Sequence, residues 1–61
     1  MTLREYLFRN RKTAAAVARE LGINEHYFRQ ICRCRLRPGF ELATKIELLT
    51  GGEVTVKELR P

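Results

Sequence analysis

The segment from Thr13 to Arg33, TAAAVARELGINEHYFRQICR, constrains this chain most, because its small and apolar residues recur at the spacing that two short helices meeting at a sharp corner require. Gly22 stands where the first of those helices must end, since glycine takes the left-handed backbone conformation without a Cβ penalty. Ala18, four residues earlier, is small enough to let the second helix pack across the first. Val17 and Leu21 before the corner, Ile23 inside it, and Phe28 and Ile31 after it supply an apolar wedge that fixes the angle between the helices. A generic helical hairpin needs neither the small residue before the glycine nor apolar residues one, six and nine positions after it. The spacing therefore predicts a helix-turn-helix.

With the wedge buried, Glu25, His26, Arg29, Gln30 and Arg33 are left outward on the second helix, and such side chains hydrogen-bond base edges and phosphates. The formal net charge is +5, and its distribution tells more than its sum. Arg29, Arg33, Arg35 and Arg37 fall in a stretch with no acid between Glu25 and Glu41. Arg9, Arg11 and Lys12 make a second cluster just before the first motif helix, where a duplex backbone would pass. Surface charge is usually a solvated face, but here both clusters coincide with the motif, and polyanions are the natural partner.

Sixty-one residues allow one domain, residues 1–61. Folding at this size buries only about 60% of the unfolded chain's surface, so the core is small and an enclosed catalytic pocket is not expected. The single histidine has no nucleophile and orienting carboxylate at helical spacing beyond Glu25, which argues against an enzyme. No apolar run approaches the ~20 residues of a membrane span and no signal-peptide pattern appears, so a cytoplasmic protein is expected. Cys32 and Cys34 are separated by one residue, too close for an easy disulfide and too few for a zinc site, so two free thiols are expected. Cys32, four residues after Phe28, reads as a small buried hydrophobe, while Cys34 reads as exposed. His26 lies on the opposite face from Cys32, so neither a metal site nor any cofactor is expected.

Five helices can be placed. Thr2 followed by Glu5 is a capping box that starts a helix over Leu3 to Arg9, with Leu3, Tyr6 and Leu7 inward. Phe8 lies off that stripe and reads as an extra core contact, with an exposed partner-facing role as the alternative. Thr13 caps the second helix and Asn24 the third, which leaves Glu25 and His26 in the first turn, the part that reaches deepest into a major groove. Arg37-Pro38-Gly39 stops the third helix from continuing. A fourth runs from Phe40 to Leu49 with Leu42, Ala43, Ile46 and Leu49 inward, and Thr50-Gly51-Gly52 ends it. Leu48 lies partly off that stripe, at the rim of the core or, with Phe40 or Val56, at a subunit contact. Val54, Thr55 and Val56 favour a strand, but Thr55 with Glu58 is a second capping box, and a short helix from Val56 to Leu59 is the preferred reading, with Leu59 docked on the first and fourth helices.

These residues resemble the Cro-type repressors of temperate phages, and more closely the YdaS-type branch found in prophages and mobile elements. The segment VARELGINEHYFRQI matches the helix-turn-helix of that family. ELATKIELLTGGEVTVKELRP carries Ile-Glu, Thr-Gly-Gly, Val-Thr and Glu-Leu-Arg-Pro pieces like the C-terminal signature of that branch, and it is the more specific of the two. The resemblance implies a small five-helix, all-α, lambda-repressor-like domain that binds a double-stranded DNA operator; because one module of this size reads too few base pairs alone, a homodimer on a near-palindrome, weak in solution or completed on DNA, is expected. It implies Asn24, Glu25, His26, Arg29, Gln30 and Arg33 as the groove-facing set, and Thr13 with its basic neighbours Arg11 and Lys12 on phosphates. Arg35 and Arg37 join the phosphate set by charge and position. Tyr27 is bulkier than the family's usual residue, and Glu25 is acidic where glutamine or serine is frequent; Glu25 either accepts from cytosine N4 or pairs with Arg29, its i+4 neighbour. The YdaS-type label also carries an antitoxin-like alternative, in which Phe8, Leu48 and Val56 would bind a toxin partner.

Overall fold

A computed structural model describes residues 1–60. Five helices follow one another: α1 (Leu3–Arg9), α2 (Ala14–Leu21), α3 (Glu25–Cys32), α4 (Phe40–Leu49) and α5 (Val56–Leu59), with no strand among the described residues. The protein is all-α, and the tail is helical. Burial of apolar stripes sets its architecture. Leu3 and Tyr6 of α1, Val17 and Ala18 of α2, Phe28 and Ile31 of α3, Ile46 of α4 and Val54 just before α5 form one buried cluster. Leu7, Leu21, Ile23, Leu42, Leu49 and Leu59 pack around it, half-buried.

Four of the five helices start where a side chain satisfies free amides. Thr2 Oγ1 accepts from the Glu5 amide at 3.1 Å and Glu5 Oε1 accepts from the Thr2 amide at 3.4 Å. Thr13 Oγ1 accepts from the Ala16 amide at 3.1 Å, and Asn24 Oδ1 from the His26 and Tyr27 amides at 2.8 and 3.2 Å. Thr55 and Glu58 repeat the reciprocal arrangement at α5. Gly39 begins α4 without a side-chain cap, directly after a fully buried Pro38.

The sequence reading requires three corrections. Phe8 is 86% exposed and is no core contact, because two residues beyond Tyr6 on a helix is about 200° around the axis. Leu48 stands in the same relation to Ile46 and is 76% exposed, well outside the rim of the core. Cys32 is only half-buried, since it ends α3 and one side of it opens to solvent. Two residues not anticipated in the core join it. Val54 is fully buried, and the buried Thr50 hydroxyl accepts from the Val54 amide at 3.1 Å, which holds the α4–α5 corner closed. The Met1 ammonium donates to Glu58 Oε2 at 2.7 Å, and that bond holds the Glu58 carboxyl below its ordinary pKa.

Candidate nucleic-acid interface

The α2–α3 unit is built from the corner outward. Gly22 adopts φ +74°, and the Ile23 amide donates back to the Ala18 carbonyl at 3.0 Å, so the chain reverses within two residues. Ala18 is 1% exposed, and Phe28 lies completely buried beyond it. A larger side chain at Ala18 would push α3 away. The apolar face of α3 is thus committed to the core, and its polar face carries His26, Tyr27, Arg29 and the terminal Arg33 exposed, with Glu25 and Gln30 half-buried.

Within that face Glu25 Oε2 and Arg29 Nη2 lie 2.6 Å apart across one helical turn. The pair fixes the Arg29 guanidinium while leaving most of its five N–H donors available. Asn24 is exposed, but its side-chain oxygen is committed to capping α3, which leaves its amide donor for a ligand. Thr13 likewise spends an acceptor on its own helix and keeps a hydroxyl proton to donate. Arg11 is exposed at φ +52°, and the Lys12 ammonium lies 5.7 Å from the centre of the Tyr6 ring, so this basic pair is anchored to the end of α1.

Arg35 and Arg37 are exposed on the segment that follows α3. Cys34 at φ +60° and the Arg35 amide donating to the Gln30 carbonyl at 2.9 Å turn that segment back beside α3. Its far end is tied down by Arg60, whose Nη1 donates to the Pro38 carbonyl at 2.6 Å. Arg29, Arg33 and Arg35 come together on one open depression that also includes Ala14, the first residue of α2. Arg37 is not part of it and instead lines, with Leu36 and Val54, an adjoining apolar groove that shares Arg35 with the depression. Sequence reasoning missed one basic member of the depression, Arg4 of α1. Nothing in the linear spacing joins it to Arg33, and only the packing of α1 on the cluster brings the two together.

Cys32 lines both concavities. Burial pushes its thiol up to about 11, against the opposing pull of Arg4, so it remains protonated at neutral pH and adds no negative charge to the basic surface. Among the described residues no group of three or more histidine, cysteine or acidic side chains is placed to hold a metal ion. None of the described helices is long and apolar enough to cross a membrane.

The fold and this surface define a small all-α protein with a cationic helical face. No protein-family model, curated protein or solved structure matches the chain.

Proposed function

We propose that this protein is a sequence-specific DNA-binding transcriptional regulator, of the Cro-like phage or prophage kind, that inserts α3 into the major groove of a near-palindromic operator. The observation that carries this reading is the division of α3. One face is locked against α2 through Phe28 and Ile31, and the other holds Glu25, His26, Arg29, Gln30 and Arg33 on the surface beside unpaired arginines. Arg29 or Arg33 is suited to paired hydrogen bonds with guanine O6 and N7, and Gln30 to adenine N6 and N7; each such pair discriminates by about 1–3 kcal/mol. Glu25 holds Arg29 in register and is itself placed to accept from cytosine N4. Arg11, Lys12, Thr13, Arg35 and Arg37 supply phosphate contacts, which add affinity without base information. A homodimer doubles the length of sequence read and excludes polymerase from an overlapping promoter.

The direct test is selection from a randomised duplex pool at two salt concentrations, followed by sequencing of the retained DNA. An enriched inverted repeat is expected. Retention that depends on salt and enriches nothing would reduce the surface to non-specific charge. On the selected site, Arg29→Ala should relax one base preference at a cost of about 1–3 kcal/mol, and Arg37→Ala should weaken all duplexes alike and flatten the salt dependence. Uniform losses from both variants would overturn this division of roles.

A second reading is favoured by a separate observation. Phe8, Phe40 and Leu48 are 86%, 68% and 76% exposed, large apolar side chains that a protein partner would bury. In that reading the chain is an antitoxin-like module whose helical surface covers a protein partner. Val56 is half-buried and contributes less to such a surface than Phe40 does.

A further inference from the structure

Arg4, Arg29, Arg33 and Arg35 line one open depression of about 480 Å³, with Leu7 and Cys32 among its walls. Arg4 arrives from α1, the others from α3 and the turn after it, so the convergence is a product of tertiary packing. Glu25 neutralises Arg29, and among the described residues no carboxylate lies within ion-pair distance of Arg4, Arg33 or Arg35. Cys32, with its thiol held in the protonated form, does not compensate them either. Three uncompensated guanidiniums around one hollow repel each other, and an oxyanion presented to all three relieves that repulsion.

Arg4 is the informative member. It is the second residue of α1, in the first turn, where the helix dipole favours acids and disfavours a cation. Its placement runs against the stability of its own helix. Arg33, in turn, is the C-cap of α3, at the opposite end from the first-turn residues Glu25 and His26, and its neighbour Arg35 is folded back toward α3 by the bond to Gln30. The direction of this cluster is sideways from α3 toward α1.

We propose that Arg4, Arg33 and Arg35 form a clamp for one backbone phosphodiester of duplex DNA, with Arg4 a phosphate-binding residue; of the two arginines suited to guanine, Arg33 then belongs to the clamp and the paired guanine contact falls to Arg29. This rests on the DNA-binding reading and deepens it. The clamp sets the position of α3 in the groove, because a phosphate held between α1 and the end of α3 fixes how far the helix can slide along its axis. Tetrahedral phosphate is the shared chemistry of a backbone diester and of free phosphates, so both need to be measured.

The test is the salt dependence of duplex binding for wild type, Arg4→Ala, Arg4→Lys and Lys45→Ala. Lys45 is an exposed cation on α4 outside the depression and serves as the charge-matched control. Loss of one phosphate contact in Arg4→Ala should reduce the slope of log K against log salt by about 0.9 and weaken binding about 5- to 10-fold at 0.1 M salt, equally for specific and random duplexes. Arg4→Lys should restore most of the slope, Lys45→Ala should leave it unchanged, and the thermal midpoint of Arg4→Ala should not fall. Wild-type binding with an unchanged slope in Arg4→Ala, or an equal change in Lys45→Ala, overturns the clamp and leaves the DNA reading standing. Failure of wild type to bind any duplex at low salt overturns both. In a parallel titration with pyrophosphate and no DNA, millimolar or weaker binding is expected. A micromolar Kd lost in Arg4→Ala would assign the site to a free polyphosphate and overturn the diester assignment.

Discussion

Four of the five helices end on a residue in the left-handed region: Arg11 at φ +52°, Gly22 at +74°, Cys34 at +60° and Gly51 at +65°. In each case the next amide donates back five residues, from Lys12 to Leu7, Ile23 to Ala18, Arg35 to Gln30 and Gly52 to Glu47. The same hydrogen-bonded stop is made twice with glycine and twice without it. A side chain in that conformation costs about 1–2 kcal/mol through its Cβ, whereas glycine gives up part of that saving to unfolded-state entropy. Cys34→Gly is therefore expected to stabilise the protein by up to about 1 kcal/mol, read as a higher urea midpoint at unchanged slope. Gly22→Ala should lose about 1 kcal/mol, since an added Cβ there meets nothing within 4 Å and only the backbone objects. A much larger loss would mean that the corner does not have the geometry described. The glycine stops were legible in the sequence because glycine advertises its conformation. Those at Arg11 and Cys34 were not, because Arg33-Cys34-Arg35 carries no residue that marks a turn.

The start of each element was the part most open to sequence reading. Thr2, Thr13, Asn24 and Thr55 all cap the helices their positions announce, since a short polar side chain before an apolar periodicity has few other uses. The capping box at Thr55 also resolved the competition between strand and helix in the tail, because Glu58 closes it locally while a lone strand has no partner to pair with. What local pattern could not reveal was which tail residue enters the core. Val54 precedes α5, outside any helical stripe, yet it is fully buried with its amide satisfied by Thr50. Val54→Ala should accordingly cost about 2 kcal/mol of stability by removing buried methyl groups and leaving a cavity. Val56→Ala, at a half-buried position, should cost clearly less in the same denaturation series. Equal effects would mean that α5 docks in another register. The candidate site divides along the same line. Glu25 to Arg33 was readable from the period of α3, and the part contributed by Arg4 was not, since it depends on how α1 lies against the rest.

At the scale of the whole molecule the constraint is reach. An eight-residue α3 is about 12 Å long and, in the proposed DNA reading, would span only a few base pairs, too few to specify a site among the many a genome offers. Two copies on an inverted repeat with half-sites about 34–36 Å apart would double the sequence read. The surface available for that pairing includes Phe40 and Leu48, both exposed and about 80° apart around α4. With only a few such side chains to bury, pairing in free solution should be weak, and the duplex should complete it by holding two copies at the required spacing. Sedimentation is expected to give monomers for the free protein at micromolar concentration and two chains per duplex on the selected repeat. Leu48→Glu should lower the cooperativity of filling the two half-sites, while binding to a single half-site stays within about two-fold of wild type. That separation matters because Leu48 belongs to α4 and lies outside the arginine depression, so any change confined to the second binding event belongs to a contact between chains. One chain per duplex on a palindromic site would overturn the dimer, and Phe40 and Leu48 would then belong to the surface for a different protein.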